Sequence, residues 1–140
     1  MIDGLAELAP GYDRSGDFPA ASLRVAHTAG LLTATVGQRY GGRGAGVEET
    51  ARILHALGQG DPSVALIAAM TLVAHARQAA RPHWPEEVYA RVLKESEARP
   101  VLINHARVEP ELGSPARGGL PATRAGGRPA AGPSAAPNGS

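Results

Sequence analysis

The sequence predicts an all-α fold: an up-and-down helical bundle of about five helices, followed by a short extended segment and a disordered C-terminal tail. Three observations predict it. Through the first hundred residues, apolar side chains recur at the three-and-four spacing that lines one face of a helix. Proline, glycine and capping residues cut that pattern into helix-length pieces. Aromatic residues make up only 4% of a chain that is 43% hydrophobic, so a core must be built from Ala, Leu, Val and Ile, which suits closely packed helices. The corresponding division is residues 1–100 as helical domain, 101–123 as the start of a β-rich region, and 124–140 as tail.

The first helix places Ile2, Leu5, Ala6, Leu8 and Ala9 on one face, with Asp3 in the first turn where it complements the helix dipole. Pro10 either stops or kinks it, because proline lacks the N–H and crowds the preceding turn. Asp13 to Pro19 reads as a break. A second helix runs from Pro19 to Ala29, with Leu23, Ala26 and Ala29 as inward candidates and Gly30 as the left-handed terminator. Leu31 to Val36 is apolar, partly β-branched and too short for a helix, and is expected as an extended connection.

The third helix spans Val47 to Gly58, with Val47, Thr50, Ala51, Leu54 and Leu57 as its expected buried stripe. Asp61-Pro62-Ser63 then combines an N-cap acid with proline at the first helical position, the clearest helix start in the chain. The fourth helix, Pro62 to Ala80, is apolar almost all the way round, which predicts a central, largely buried element. Serine, threonine and histidine interrupt it, and it is expected to be too short and polar for a membrane span. Trp84-Pro85-Glu86-Glu87 opens a fifth helix whose inward face is Val88, Tyr89, Val92, Leu93 and Ser96; Arg99-Pro100 ends it.

Composition excludes several functions. The formal net charge is +1, with all 13 acidic residues at or before Glu111 and Arg117, Arg124 and Arg128 beyond it, so nothing draws the chain to nucleic acid or an anionic membrane. Without cysteine there is no disulfide, iron–sulfur cluster or thiol catalysis. The N-terminus carries acids where a secretory signal needs basic residues and an apolar block, and a cytoplasmic location is expected.

Candidate chemistry along the helices is sparse. His27, His55, His75, His83 and His105 include no pair at helical metal-binding spacing, so no metal is expected. His75 reads as a hydrogen-bonded core or rim residue. No serine sits in a nucleophile-elbow pattern, and the pairs Glu48/Glu49 and Glu86/Glu87 lie at helix starts where the dipole explains them. No catalytic residue is assigned. Tyr40-Gly41-Gly42-Arg43-Gly44-Ala45-Gly46 fits neither a dinucleotide fingerprint nor a P-loop, and the acids that follow would repel a phosphate; it reads as a tight structural loop. Trp84 is expected to pack at its helix start rather than stack on a ligand.

Val101 to Thr123 is different in kind. An apolar run, Val101 to Ile103, leads to Glu109, Pro110, Gly113, Ser114 and Pro115, in which the prolines fix their backbone and the glycine admits close approach. Such a loop either turns the chain or presents N–H groups to an anion. The run Val108-Glu109-Pro110-Glu111-Leu112-Gly113-Ser114 resembles the flavin and substrate loop of the acyl-CoA dehydrogenase family, where Thr-Glu-Pro is followed by Gly-Ser-Asp. Ala29-Gly30-Leu31-Leu32, Tyr40 to Gly44 and Gly60-Asp61-Pro62-Ser63 are similar to that family's N-terminal landmarks in order and spacing, so the resemblance covers residues 5–123.

The resemblance implies an FAD-dependent enzyme of three domains that desaturates an acyl-CoA thioester between its α and β carbons, acts as a homo-oligomer, and takes its general base from a C-terminal domain. Residue by residue it implies cofactor contacts at His105, Arg107, Val108 and Ser114, with Ser114 also near the substrate. Val108 stands where the family has Thr and Pro115 where it has Asp. Seven Gly or Pro residues in 125–140, with no strand pattern, lead to the expectation of a truncation or frame shift near Arg124 and of an inactive isolated chain. The alternatives are a non-enzymatic helical interaction module and a fragment of a related flavin-dependent monooxygenase.

Overall fold

The computed structural model describes residues 2–104, which lie in a first unit running over Met1–His105; the second unit, Ala106–Ser140, falls outside the described residues. The tail expectation falls there too. The described chain is five α-helices and one 3-10 turn: α1 (Ile2–Ser15), α2 (Ala20–Thr28), the turn Gln38–Tyr40, α3 (Val47–Gly60), α4 (Pro62–Ala80) and α5 (Glu86–Ala98). Among the described residues there is no strand, and the all-α bundle expected from the sequence is the fold. α3 lies between α1 and α4, and α2 packs on α1. Leu5, Leu23, Ala26, Leu32, Leu57, Val64 and Ala68 form the core.

The helix boundaries follow local chemistry. Asp61 caps α4 by accepting hydrogen bonds at Oδ1 from the backbone N–H of Ser63 (2.8 Å) and Val64 (3.3 Å), two donors with no partner inside the helix. Gly30 has φ 70° and closes α2, its N–H donating to the carbonyl of His27 at 2.8 Å. Pro10 does not stop α1: the helix passes through it and ends at Ser15, beyond which Gly16 takes φ 69°. The predicted break therefore starts three residues later than Asp13.

Several inward assignments need correction. Val47 is 89% exposed, Ala51, Ala29 and Val88 are exposed, and the buried stripe of α3 runs instead through Leu57 and Gly60, flanked by Ile53 and Leu54. Val47 is the first residue of its helix, at the opposite end from Gly60 and its close approach to α1. Leu31 to Val36 is a pair of turns rather than an extended connection: the N–H of Ala34 donates to the carbonyl of Leu31 and that of Val36 to Thr33. Its apolar side chains are nevertheless buried, at Leu32, Ala34 and Val36. Thr35 Oγ1 donates to the carbonyl of Leu72 (2.7 Å), pinning this segment to α4.

The glycine-rich loop is structural. A side chain at Gly42 would collide with the backbone carbonyl of Val36, and Gly41 and Gly44 hold φ 79° and 67°. Gly60 plays a part in packing as well as ending a helix: a Cβ there would sit 2.7 Å from Leu5 Cβ and 2.9 Å from the Ile2 carbonyl, so its bareness sets how closely α1 approaches α3. At Gly58 the nearest atom to an added Cβ is Ala65 Cβ at 3.8 Å, an ordinary contact.

Two substitutions in the same helix should therefore have opposite signs. Gly58→Ala should stabilise by roughly 0.5–1 kcal/mol through helix propensity, whereas Gly60→Ala should cost about 1–3 kcal/mol through overpacking. Urea unfolding followed by far-ultraviolet circular dichroism measures both. Asp61→Ala should cost about 1 kcal/mol in the same assay.

Candidate functional site

α4 carries two faces of different character. One is a line of buried polar side chains, Thr71, His75 and Gln78, spaced four and three apart and 0%, 0% and 1% exposed. Each holds a separate piece of chain. Thr71 Oγ1 accepts from the N–H of Ile103 (3.0 Å), which lays Val101–Asn104 along the helix. His75 Nδ1 is hydrogen-bonded to the Tyr89 hydroxyl (2.9 Å), joining α5 to α4. Gln78 Oε1 accepts from the N–H of His83 (3.0 Å) and Trp84 (3.2 Å), and its Nε2 donates to the Tyr40 hydroxyl (3.4 Å). Tyr40 and Trp84 both meet Tyr89 edge-on, at 4.8 and 6.0 Å between ring centres.

This cluster is sealed rather than catalytic. Burial lowers the His75 pKa to about 4, so the imidazole stays neutral, and its Nε2 has no partner among the described residues. Burial, reinforced by Tyr40, raises the Tyr89 hydroxyl to about 12. A base with no route to substrate removes no proton, and the expectation of a hydrogen-bonded core histidine is what the structure shows.

The other face opens onto an apolar groove of about 470 Å³. Phe18 from the α1–α2 connection, Leu66, Ile67 and Met70 from α4, and Leu102 and Ile103 from the segment held by Thr71 line it. Phe18 and Leu66 are 59% and 66% exposed, well beyond what a core side chain shows. Asn104, the last described residue, is part of the groove's lining. A larger recess of about 630 Å³ between the end of α1 and the start of α4 offers no comparable surface: its buried carboxylate, Asp61, is spent on capping α4.

His105, Arg107, Val108 and Ser114, the residues expected at cofactor and substrate, lie outside the described residues. Among the described residues no cluster of His, Asp or Glu could hold a metal ion. The glycine-rich loop is folded back on Val36, with the Gly44 N–H donating to the Val36 carbonyl, and offers no cradle for a pyrophosphate. An apolar side of α4 left exposed is foreseeable from the sequence, but none of the groove's residues is assigned there to a site. The signal was the all-round apolarity of α4, because a helix with more apolar positions than its neighbours can cover leaves one side open. By length and composition α4 does reach what a membrane span needs, with 19 residues and a mean hydropathy of 1.2, so the expectation that it falls short was too strict; its buried Thr71, His75 and Gln78 are what the core helix of a bundle shows.

The architecture is thus a small helical domain with a closed polar core and one apolar face left open. Comparison with known proteins agrees on its kinship: residues 3–93 match the N-terminal domain of the acyl-CoA dehydrogenases, and the chain belongs to that family. It is 33% identical over 125 residues to YdbM of Bacillus subtilis (strain 168), which bears an acyl-CoA dehydrogenase name; the match covers 89% of this chain and 32% of that protein. It is 30% identical over 116 residues to a mitochondrial Caenorhabditis briggsae protein named as a medium-chain specific acyl-CoA dehydrogenase, covering 76% of this chain and 26% of the relative. The chain therefore spans about a third or less of the relatives it matches. No solved structure matches it.

The sealed histidine makes stability depend on pH. His75 has a folded pKa below its unfolded 6.5, so its contribution is fully present above pH 6.5 and is lost as pH falls towards 4. At roughly 1.4 kcal/mol per pH unit, the loss is at most about 3 kcal/mol. Thermal melts between pH 7 and pH 4 (about the range that matters) should show it, and His75→Gln should flatten the dependence. Tyr89→Phe should cost about 1–3 kcal/mol by leaving the imidazole without its hydroxyl partner.

Proposed function

We propose that this chain supplies the N-terminal helical part of an FAD-dependent oxidoreductase that desaturates acyl-CoA thioesters, and that its own contribution is apolar surface for the acyl chain. Family membership over residues 3–93 supports the reaction class. The observation that carries the residue-level reading is the groove of Phe18, Leu66, Ile67 and Met70, whose lining suits a hydrocarbon chain and includes Asn104, which in sequence directly precedes His105. In this reading FAD would be held by residues beyond Asn104, including His105, Arg107, Val108 and Ser114, and would supply the hydride acceptor. The carboxylate that abstracts the proton is assigned in this reading to a part of the enzyme other than these helices. As a purified polypeptide the chain then neither retains FAD nor turns over substrate, and its partners are an acyl-CoA and further copies of the full enzyme subunit.

A second reading, a non-enzymatic helical module that docks on another protein, is favoured by the same exposed apolar side chains, Phe18 and Leu66. Flavin absorbance of the purified chain separates the two from a competent enzyme. The expected result is a stable helical circular dichroism spectrum without a flavin band and without reduction of a dye by acyl-CoA. Stoichiometric FAD with acyl-CoA-dependent dye reduction would overturn the assignment of flavin and base to a part of the enzyme other than these helices.

A further inference from the structure

The open face of α4 does not end at the groove. Leu66, Met70, Val73 and Arg77 follow one another at spacings of four, three and four, which places them on one side of the helix over about 16 Å. Leu66 and Val73 are 66% and 45% exposed, so the apolar strip continues out of the groove along the surface. It terminates in a second recess of about 440 Å³, lined by Arg77, Ala80, Arg81, Pro82 and His83.

Among the described residues that recess is cationic and lacks a counter-charge. No described Asp or Glu lines it, and α4 itself contains none. Arg43, Arg52 and Arg99 each pair with a glutamate, whereas Arg77 and Arg81 enter no ion pair among the described residues. Its far wall is fixed from inside: the buried Gln78 holds the N–H groups of His83 and Trp84, and the Arg81 N–H donates to the Arg77 carbonyl at 2.8 Å. Arginine in a last turn commonly serves only to complement the helix dipole. Here, however, the dipole amounts to about half a negative charge, and two guanidinium groups exceed it, leaving a net positive recess at the end of an apolar strip.

The geometry points to a binding surface for a single amphiphile, with its hydrocarbon chain along Leu66, Met70 and Val73 and a phosphate-bearing head between Arg77 and Arg81. Guanidinium recognises phosphate oxygens through paired charge-assisted hydrogen bonds, and the strip supplies the apolar contact. This inference rests on the reading of the groove as hydrocarbon surface and extends it by naming where the ligand's anionic end is held.

The test uses the purified 140-residue chain. Trp84, the sole tryptophan, lies beside His83 and reports occupancy of the recess by its fluorescence. Dodecyl phosphate, dodecanol and inorganic phosphate are titrated below the aggregation concentration of the amphiphile, with calorimetry as a second readout. Dodecyl phosphate should bind roughly tenfold more tightly than dodecanol, the margin expected of hydrogen bonds to a charged group. The double variant R77Q/R81Q, altered only at exposed positions, should lose that margin while keeping its melting temperature and its affinity for dodecanol. Leu66→Asp should weaken both alkyl ligands. Equal affinity for dodecyl phosphate and dodecanol, or an R77Q/R81Q variant that binds the phosphate unchanged, overturns the anionic end and leaves the groove reading standing. If neither alkyl ligand binds, the groove reading fails and this inference with it. Preference for vesicles of anionic phospholipid over monomeric dodecyl phosphate would also overturn it, since the surface would then serve a bilayer.

Discussion

The fold depends on the line of Thr71, His75 and Gln78 along α4. A buried polar side chain costs free energy unless it is hydrogen-bonded, so each of the three must find a partner, and each partner lies on a different stretch of chain: Ile103, Tyr89, and the turn at His83 and Trp84. Hydrophobic contact alone would let α5 and the segment after it slide, because α5 buries only Tyr89 and Ser96. Directional bonds fix the register instead. The apolar core of Leu5, Leu23, Leu57 and Val64 brings the first four helices together without needing such detail.

Much of this was legible because local chemistry set it. The Asp61-Pro62-Ser63 start gave α4 its N-terminus to the residue, and Gly30 ended α2 where a left-handed residue was expected. What escaped reading is tertiary in origin. Val47 and Ala51 belong to the periodic pattern of α3, but which positions of a pattern find a neighbour depends on where α1 and α4 stop. Pro10 sits within a helix because the rest of α1 is held against α3, where Gly60 allows the approach. Thr71 and Gln78 look like interruptions of an apolar helix until their partners, 32 and 5 residues away, are known.

The candidate site divides in the same way. Family landmarks in the sequence led to an acyl-CoA dehydrogenase-type N-terminal domain, which the family match bears out. The groove of Phe18, Leu66 and Met70 could not be read as a site, since the same residues at the same spacing describe a buried helix. Only the shortage of covering side chains distinguishes the two, and that is a property of the assembled bundle. His75, by contrast, reads from the sequence as a core or rim residue, and it lies in the core.

The link between α2 and α5 carries one further consequence. His27 Nε2 bonds to the Ser96 carbonyl across 69 residues at 2.7 Å, whereas the Tyr89–His75 bond that joins α5 to α4 spans only 14. Contacts between distant positions carry the larger chain-closure entropy and are made late. The α2–α5 bond is therefore expected to be the later of the two to close, on an α5 that the short turn at Arg81–Pro85 and the Tyr89–His75 bond already hold beside α4.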